Sequence, residues 1–580
     1  MPNLNSTELA GVAARIGRIV LFFRQLLGIH RVALMFVSSL LVSLIEFAGL
    51  ALIFPFIKFV VDPTYHQRLI EQYLPAAIGT TLAEHRMFVV IAAIAMVGLY
   101  LVKGFLHAIL IRYQANVAAD INRYASHQLI DGALRARYQL FQEHGAVKIA
   151  GISYSNTTHA SLLFQSMVAA CNEITLFGFV FAGMMLLSPV ASLTVIAVLF
   201  VLATGVFLPL SRRVARIGRQ SQIVDLARHR FVFAMASAIR DIKIMGLETS
   251  FVRRNRSIVD QQVDLSAEYA SISTVQRVAV EILMVCSVVL GSIWMVFSGR
   301  DLVQIAPLLA AGGLVAVRAA PALSRLAGAY NGFRYSLPFV EGLLTMRADI
   351  AGYPQPRNED RVAFRGNFEA RNLCFAYRGT QVLENVSLTI GRGEVVAVVG
   401  PSGSGKSTLL DLIAGLQPPS SGDFYLGGLS FNPFMSTDFS RKVGYVPQSI
   451  TLLDGSIDFN VSLEVDPDAE RLQRAIRASN LSEFVDSLPD GSRTILGEGG
   501  QGVSGGQRQR IGIARALYRE PELLILDEVT SALDSETELL VMRELLRLRG
   551  QTTLLIVTHN LSIVESADRI YRLEDGQLSS

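Results

Sequence analysis

An unusually long stretch without charge is the feature that most constrains this chain. From Ile174 to Ser211, no Asp, Glu, Lys or Arg occurs over 38 positions. A helix needs about 20 apolar residues to cross the hydrocarbon core of a bilayer, so this stretch is long enough for two crossings. Ser188 and Pro189 lie near its middle and predict a turn between two spans. A pair of buried helices in a soluble core does not account for a run of this length.

The composition of the whole chain agrees with a membrane-embedded part. Apolar residues make up 51% of the sequence and charged residues only 17%, against about 25% charged in soluble domains. A disordered chain is therefore excluded, and a wholly soluble one is disfavoured. No cleavable signal peptide is expected, because four arginines lie within the residues before the first apolar run. We predict six spans, at about 32–60, 87–111, 162–187, 190–211, 278–299 and 302–324.

Charge and cysteine content exclude two other classes of protein. The chain has 52 basic and 49 acidic residues, a net charge of +3, which gives no reason to expect a nucleic-acid partner. Its three cysteines, Cys171, Cys286 and Cys374, are odd in number and far apart. They exclude a disulfide framework and a metal site of the paired-cysteine type.

The charges of the loops predict the orientation in the membrane. Residues 212–277 contain 12 Lys/Arg against 6 Asp/Glu, and residues 112–160 contain 5 against 3. Because basic loops stay on the cytoplasmic side, we predict a multi-pass protein of the inner (plasma) membrane with both termini in the cytoplasm. The two long loops contain almost no proline, so we expect helices that continue well beyond the bilayer.

The C-terminal part has a different pattern. Tyr353-Pro-Gln-Pro356 and the charged residues up to Arg361 are typical of a linker. After Val362, short apolar strands alternate with helical segments, which predicts a parallel α/β domain. We therefore predict a transmembrane domain over 1–345, a linker over 346–361 and an α/β domain over 362–580.

A phosphate-binding motif opens the α/β domain. The segment from Gly400 to Thr408 reads G-P-S-G-S-G-K-S-T and follows the apolar strand Val395–Val399. Its glycines let backbone amides turn toward phosphate oxygens, and the helix that follows adds a partial positive charge. In such a loop Lys406 reaches the β- and γ-phosphates and Ser407 reaches Mg²⁺.

Two further segments complete the pattern of a nucleotide hydrolase. The apolar strand from Leu523 ends in two carboxylates, Asp527 and Glu528. Asp527 can hold Mg²⁺, and Glu528 can activate the attacking water. Upstream, Ser504-Gly505-Gly506-Gln507 precedes a helix and forms a second anion-binding helix start.

These residues, in this order, resemble the ATPase domain of ABC transporters across its whole length. Six spans before one such domain resemble an exporter-type half-transporter, so the fold class expected is a six-helix membrane domain fused to an α/β P-loop ATPase. Val503 stands where the family usually has leucine, and Thr558 and Asn560 flank His559 where it often has alanine and arginine.

The resemblance implies the ligands and roles of the site, with ATP and Mg²⁺ as cofactors. It implies catalytic roles for Glu528, His559 and Gln448, and metal contacts for Ser407, Gln448 and Asp527. It implies nucleotide contacts for Tyr377, Gly400, Ser402, Gly403, Ser404, Gly405, Lys406, Ser407, Thr408, Ser504, Gly505, Gly506, Gln507 and Asp534. The segments Ala136–Val147 and Arg240–Glu248 resemble coupling helices, which in the family contact the ATPase near the positions of Gln448 and Glu498.

The resemblance also implies a partner. Ser504–Gln507 resembles the signature loop of this family, and in the family the signature loop of one subunit closes over the ATP bound by the other. A chain with one membrane half and one ATPase half must therefore pair, and its complete motifs make a homodimer the simplest interpretation. The remaining partners expected are membrane lipid and a transported amphipathic substrate.

Charges inside the predicted spans bear on the cargo. At about 1.5 Å per residue, Arg318 lies roughly 27 Å below the outer turn, and Arg325 and Arg277 lie about 35–38 Å below it. Three guanidinium groups near the inner face could bind a phosphate or diphosphate. The alternative is pairing with Glu281 or extension to lipid headgroups. The roles of Glu46, Lys103, Glu173 and Glu281 are left open.

A weaker resemblance suggests the kind of cargo. Leu44-Ile-Glu46-Phe47, Pro55-Phe56-Ile57 and Arg318…Pro321…Arg325 resemble lipid-linked oligosaccharide flippases of bacterial glycosylation systems. It implies ATP-driven export or flipping of an anionic amphipathic lipid. A multidrug, peptide or general lipid exporter is the alternative, and an ATP-gated channel or sensor is an alternative of another class.

Overall fold

The chain forms two compact units in a computed structural model. The described residues are 6–61, 85–187, 205, 207–297, 302–354, 364–377, 379–497, 500, 502–529 and 535–579. One unit comprises Met1–Arg135 and Glu143–Gly352, and the other comprises Ala136–Gln142 and Tyr353–Ser580.

The described residues of the first unit form helices joined by short turns. Helices suit a membrane segment because every backbone amide is satisfied within the segment itself. A π-helical turn, Ile152–Asn156, lies between two of them. The helices of the N-terminal part of the chain are α1 Ser6–Leu27, α2 Ile29–Val61, α3 His85–Leu134, α4 Tyr138–His144, α5 Ala146–Gly151, α6 Thr157–Leu187, α7 Leu208–Ser237, α8 Ile239–Ile244, α9 Glu248–Phe297 and α10 Leu302–Gly352.

Several helices are long and apolar enough to cross a bilayer. Within the described ranges these segments are Ile29–Gly49, Val89–Leu134, Ala146–Ala182 and Glu248–Cys286. The predicted span 190–211 falls mostly outside the described residues, and the span 302–324 lies in α10. Helices α3 and α9 have 50 residues each, which at about 1.5 Å per residue is roughly 75 Å. That is more than twice the roughly 30 Å of the hydrocarbon core, as expected for helices with long extensions.

Close packing joins α7 to α10. A Cβ atom added at Gly218 would lie 2.5 Å from the carbonyl oxygen of Tyr335, so only glycine permits this approach. Val214, Ile217 and Val224 bury their side chains in the same cluster. Helix α10 continues to Gly352, so residues 346–352 of the predicted linker are helical.

Within its described residues, the second unit has three sheets with helices around them. The central sheet has the strand order β12-β11-β3-β10-β9-β6, parallel except for β12, and an antiparallel sheet has the order β2-β1-β4-β5. A third pairs β7 with β8. The strands are β1 Phe368–Tyr377, β2 Thr380–Ile390, β3 Val395–Val399, β4 Ser421–Leu426, β5 Leu429–Phe431, β6 Val443–Val446, β7 Gly455–Ser456, β8 Ile495–Leu496, β9 Leu523–Asp527, β10 Thr553–Val557, β11 Arg569–Glu574 and β12 Gln577–Ser579.

The helices of this unit cover the central sheet. Strands β3, β9 and β10 are apolar at nearly every position because both of their faces are buried. The carboxyl ends of these strands lie at one edge and carry the candidate site. The helices are α11 Lys406–Ile413, α12 Thr437–Lys442, α13 Ile457–Ser462, α14 Ala469–Ala478, α15 Ser482–Asp486, α16 Gly505–Tyr518, α17 Ser535–Leu546 and α18 Leu561–Glu565, with 3-10 turns at Pro433–Met435 and Gly491–Arg493.

A short segment from between α3 and α5 belongs to the second unit. The backbone amide of Arg137 donates to the carbonyl of Tyr353 at 3.1 Å, and Ala136 pairs with Pro354. The Arg137 guanidinium lies 4.4 Å from the centre of the Phe434 ring, a cation–π contact. The segment Ala136–Gln142 thus has specific contacts within the second unit. It is part of Ala136–Val147, one of the two segments that resemble coupling helices.

Candidate nucleotide site and membrane cavity

The P-loop connects β3 to α11 with backbone that favours glycine. Gly400 has φ +156° and Gly405 has φ +103°. A Cβ atom at Gly400 would lie 2.1 Å from the carbonyl oxygen of Leu573, so a larger residue would displace the loop. The helix begins at Lys406, within the motif itself. Ser402 and Gly403 are exposed at the rim, and Thr408 lies in the first turn of α11.

The loop has polar groups that suit a phosphate. The Lys406 ammonium is buried and donates to the carbonyl oxygens of Gly400 at 2.7 Å and Pro401 at 2.8 Å. The buried Ser404 hydroxyl has no hydrogen-bond partner among the described residues. A phosphate oxygen is an acceptor for both groups, so the residues fit the expected ligand.

Asp527 ends β9 at the bottom of the site. Its carboxylate is buried and accepts hydrogen bonds from the hydroxyls of Ser407 and Tyr445. Burial raises the pKa of Asp527, and the neighbouring charge of Glu528 raises it further. A carboxylate beside a hydroxyl is an oxygen donor set suited to Mg²⁺.

Glu528 lies between two side chains from other loops. Gln448 Nε2 donates to one of its carboxylate oxygens at 2.7 Å, and His559 Nε2 lies 3.0 Å from the other. Glu528 also has φ +50°, a left-handed conformation that is strained for a non-glycine residue and common at catalytic positions. The structure thus brings together the three residues predicted as catalytic, with Gln448 and His559 on either side of Glu528.

The signature segment caps α16. The Ser504 hydroxyl accepts from the amide of Gln507 at 3.2 Å, and Gln507 Oε1 accepts from the amide of Ser504 at 2.9 Å. This capping box satisfies two amides and leaves those of Gly505 and Gly506 at the helix start. Ser504 and Gly505 are exposed to solvent. A ligand bound by another part of the protein or by a second copy can therefore contact them.

Tyr377 is 39% exposed and packs edge-on against Phe375. Its hydroxyl accepts a hydrogen bond of 2.6 Å from Gln417, whose buried amide also lies 3.4 Å from Asp411. Burial raises the pKa of Asp411 to about 6, despite its hydrogen bond from Gln417.

The sequence did not predict Gln417, Asp411 and Tyr445 as residues of the site. The signal available for Asp411 was a carboxylate inside the apolar run of α11.

Some predicted residues lie outside the described part of the chain. These are Asp534, with the rest of the segment 530–534, and Glu498 with Gly499. Beyond the first of these segments, Glu538 accepts a hydrogen bond of 2.7 Å from Asn560, the residue after His559.

The helical unit contains a cavity of about 730 Å³ between α2, α3, α6, α9 and α10. Arg325 reaches it from α10 and forms a two-pronged ion pair with Glu173 of α6, through Nε to Oε1 and through Nη2 to Oε2 at 3.2 Å. Glu46 of α2 lies 3.8 Å from the same guanidinium. The residues that line the cavity are Val42, Glu46, His107, Ile111, Leu162, Gln165, Ser166, Ala169, Asn172, Glu173, Tyr269, Arg325, Gly328, Ala329, Gly332, Tyr335 and Ser336.

The three arginines predicted for the cargo have different surroundings. Arg325 lines the cavity and pairs with two glutamates, neither of which is Glu281. Arg277 of α9 is exposed and does not line the cavity. Arg318 lies in α10, and its side chain is outside the described part of the structure.

Comparisons with known proteins agree with this architecture. A sequence profile of the ABC transporter family matches residues 383–531. An ATP-dependent lipid A-core flippase of Polaromonas is 31% identical over 465 residues, which cover 78% of this chain and 77% of that protein. A protein of the same name from Burkholderia pseudomallei is 42% identical over 217 residues, a match that spans only 36% of its length.

A solved structure has the same fold. The structure of a bacterial Atm1-family ABC exporter with ATP bound superposes with a TM-score of 0.76, and the match covers 95% of this chain and 94% of that one at 21% identity. The predicted fold class, a helical membrane region with a P-loop ATPase domain of ABC type, is thereby confirmed. The chain is a membrane protein that belongs to the ABC transporter family, with the architecture of an exporter-type half-transporter.

Proposed function

We propose that this chain hydrolyses ATP to move an amphipathic lipid across the membrane in which it lies. The proposal of ATP hydrolysis rests on the position of Glu528 between Gln448 and His559. A carboxylate there can accept a proton from water, while the amide and imidazole fix its orientation. Bound Mg²⁺, held by Ser407 and Asp527, would neutralise charge on the phosphates.

The active form proposed is a homodimer. Ser504 and Gly505 are exposed, Gly506 is half-buried, and the helix start presents their amides, yet they belong to a different loop from the P-loop. In two paired copies, each signature would bind the ATP held by its partner's Lys406. The chain has both halves of such a site, so two identical copies would form two complete sites.

The cargo proposed is an anionic amphipathic lipid such as a lipid-linked oligosaccharide, loaded from the cytoplasmic side of the inner membrane. The names of the flippase relatives support a lipid, and the cavity around Arg325, which has both charged and apolar lining residues, supports an amphipathic cargo. Both termini would then lie in the cytoplasm, and Arg277 and Arg318 would remain candidates for phosphate contacts. An exporter of drugs or peptides and an ATP-gated channel are the alternatives.

A stimulation assay tests the proposal. ATPase activity of the purified protein in lipid nanodiscs is measured with a lipid-linked oligosaccharide, an ordinary phospholipid, a peptide or a cationic drug added. We expect the lipid-linked oligosaccharide to stimulate most. Stimulation by the drug or peptide alone contradicts the cargo, and an ATP-dependent ionic current in a planar bilayer would support the channel.

A further inference from the structure

The Tyr377 ring is held at two points and still has a surface open to solvent. Its hydroxyl accepts a hydrogen bond of 2.6 Å from Gln417 Nε2, and the ring packs at 85° to that of Phe375, with 4.8 Å between the two centroids. Even so, 39% of Tyr377 is exposed. A ring with a fixed orientation and an exposed surface is suited to stacking on another aromatic group.

Gln417 is itself fixed in place. Its residue is 2% exposed, and its amide nitrogen lies 3.4 Å from Asp411 Oδ2 on helix α11. The turn that ends α11 leads to it, and there the amide of Leu416 donates to the carbonyl of Asp411 at 2.9 Å. Gly415 has φ +73° in this turn, and a Cβ atom there would lie 2.5 Å from the carbonyl oxygen of Pro433. The close turn therefore favours glycine and makes the buried amide of Gln417 a rigid donor.

The next residues of the same loop are bonded to strand β1. The amide of Ser420 donates to the carbonyl of Cys374 at 2.8 Å, and the Ser420 hydroxyl accepts from the amide of Ala376 at 3.3 Å. Helix α11 begins in the P-loop at Lys406, and β1 ends at Tyr377. The loop therefore joins the helix of the phosphate site to the end of the strand that presents the ring.

ATP has its base and its phosphates at opposite ends, so a site that binds both ends needs its two contacts at a fixed separation. We infer that Gln417 is a positioning residue for the nucleotide, which anchors the Tyr377 ring to the segment after α11 and orients it for adenine before ATP binds. Such preorganisation raises affinity because the ring loses no freedom on binding. The inference rests on the ATP-binding part of the proposed function and on the adenine contact expected of Tyr377.

The test measures binding by calorimetry to the full chain in nanodiscs, with Mg²⁺ present. The ligands are a non-hydrolysable ATP analogue and inorganic triphosphate, which has no base. Gln417→Leu removes the donor, whereas Tyr377→Phe removes only the acceptor and leaves the contact between Gln417 and Asp411. Freeing one side chain costs about 2- to 12-fold in affinity, so each variant should bind the ATP analogue that much more weakly and triphosphate like wild type. The KM for ATP should rise by the same factor with kcat unchanged, as expected when binding alone is weakened.

A double variant and a control make the test specific. Because both changes remove the same hydrogen bond, the double variant should bind the ATP analogue no more weakly than either single variant. Tyr425→Phe is the matched control, since it makes the same chemical change in the same sheet. Tyr425 lies opposite Glu369 near the start of β1, about 26 Å along the strand from Tyr377 at 3.3 Å per residue. Its variant should keep both affinities.

The inference is overturned if Tyr377→Phe binds the ATP analogue like wild type, or if the two substitutions weaken binding additively. It is also overturned if Gln417→Leu loses affinity for triphosphate by the same factor, since the defect would then lie in the P-loop. Thermal unfolding of each variant shows whether a loss of binding reflects a loss of fold, and Tyr377→Phe with its control decides the question if Gln417→Leu unfolds.

Tyr377→Ala distinguishes failure of the positioning role from failure of the contacts beneath it. Weaker binding of the ATP analogue by Tyr377→Ala alone would refute the positioning role and keep the adenine contact. Wild-type affinity in Tyr377→Ala would refute the adenine contact as well. If the wild-type protein bound neither the ATP analogue nor triphosphate, the proposed function itself would fail.

Discussion

Replacing Glu528 by glutamine tests the chemistry of the site with the smallest change in shape. The carboxylate lies 2.7 Å from Gln448 Nε2 and 3.0 Å from His559 Nε2, and an amide of the same size keeps the side chain in place. An amide cannot accept a proton from water near neutral pH. General-base catalysis contributes about 10²- to 10⁴-fold, so we expect kcat to fall by that factor.

The assay measures steady-state phosphate release and, separately, ATP affinity. Affinity should change little, because Lys406 and the P-loop glycines are untouched. Glu470→Gln is the matched control, since the Glu470 side chain is exposed on helix α14, outside the described site, and its variant should hydrolyse ATP at the wild-type rate. Turnover of Glu528→Gln within about 3-fold of wild type would refute the assignment of the base.

Three further substitutions test other parts of the site. Mixing Ser504→Ala and Lys406→Ala chains should form dimers with one intact shared site and partly restore activity; mixtures as inactive as either variant would argue against shared sites. Tyr377→Ala should raise the KM for ATP about 5- to 150-fold, the worth of stacking on a base, with kcat little changed; an unchanged KM would contradict the adenine contact. Asp411 has a pKa raised to about 6, so the folded state holds its proton more tightly and ionisation costs stability as pH rises from about 4 to 6. Asp411→Asn should therefore raise the Tm at pH 8 and have little effect near pH 4; an equal effect at both would contradict the buried carboxylate.

Local patterns made the nucleotide site predictable. The strand before the P-loop, its glycines and the helix after it are adjacent in sequence, and their conformations follow from residue type. The Ser504 capping box is also contained within four residues. The carboxyl end of β9 was expected at the ligand edge because parallel strands in such a sheet end there.

Contacts between residues that are far apart in the chain could not be predicted from local sequence patterns. Arg325 and Glu173 are 152 residues apart, and nothing local distinguished Glu173 from Glu281 as the partner. The hydrogen bond from Tyr445 to Asp527 depends on the pairing of β6 with β9, which the strand pattern alone does not fix. The sequence did not predict that the carboxylates of Glu173 and Glu46 lie beside Arg325, and a diphosphate contact of Arg325 stays a prediction.

The central claim is that ATP hydrolysis moves a lipid headgroup across the membrane. The most direct measurement uses proteoliposomes that contain a lipid-linked oligosaccharide with a fluorescent glycan, and a quencher that cannot cross the bilayer. With ATP outside, the protein copies whose ATPase faces outward should carry the glycan inward, so the protected fraction should rise with time. The rise should be absent in Glu528→Gln vesicles. An unchanged protected fraction during active ATP hydrolysis would contradict the account.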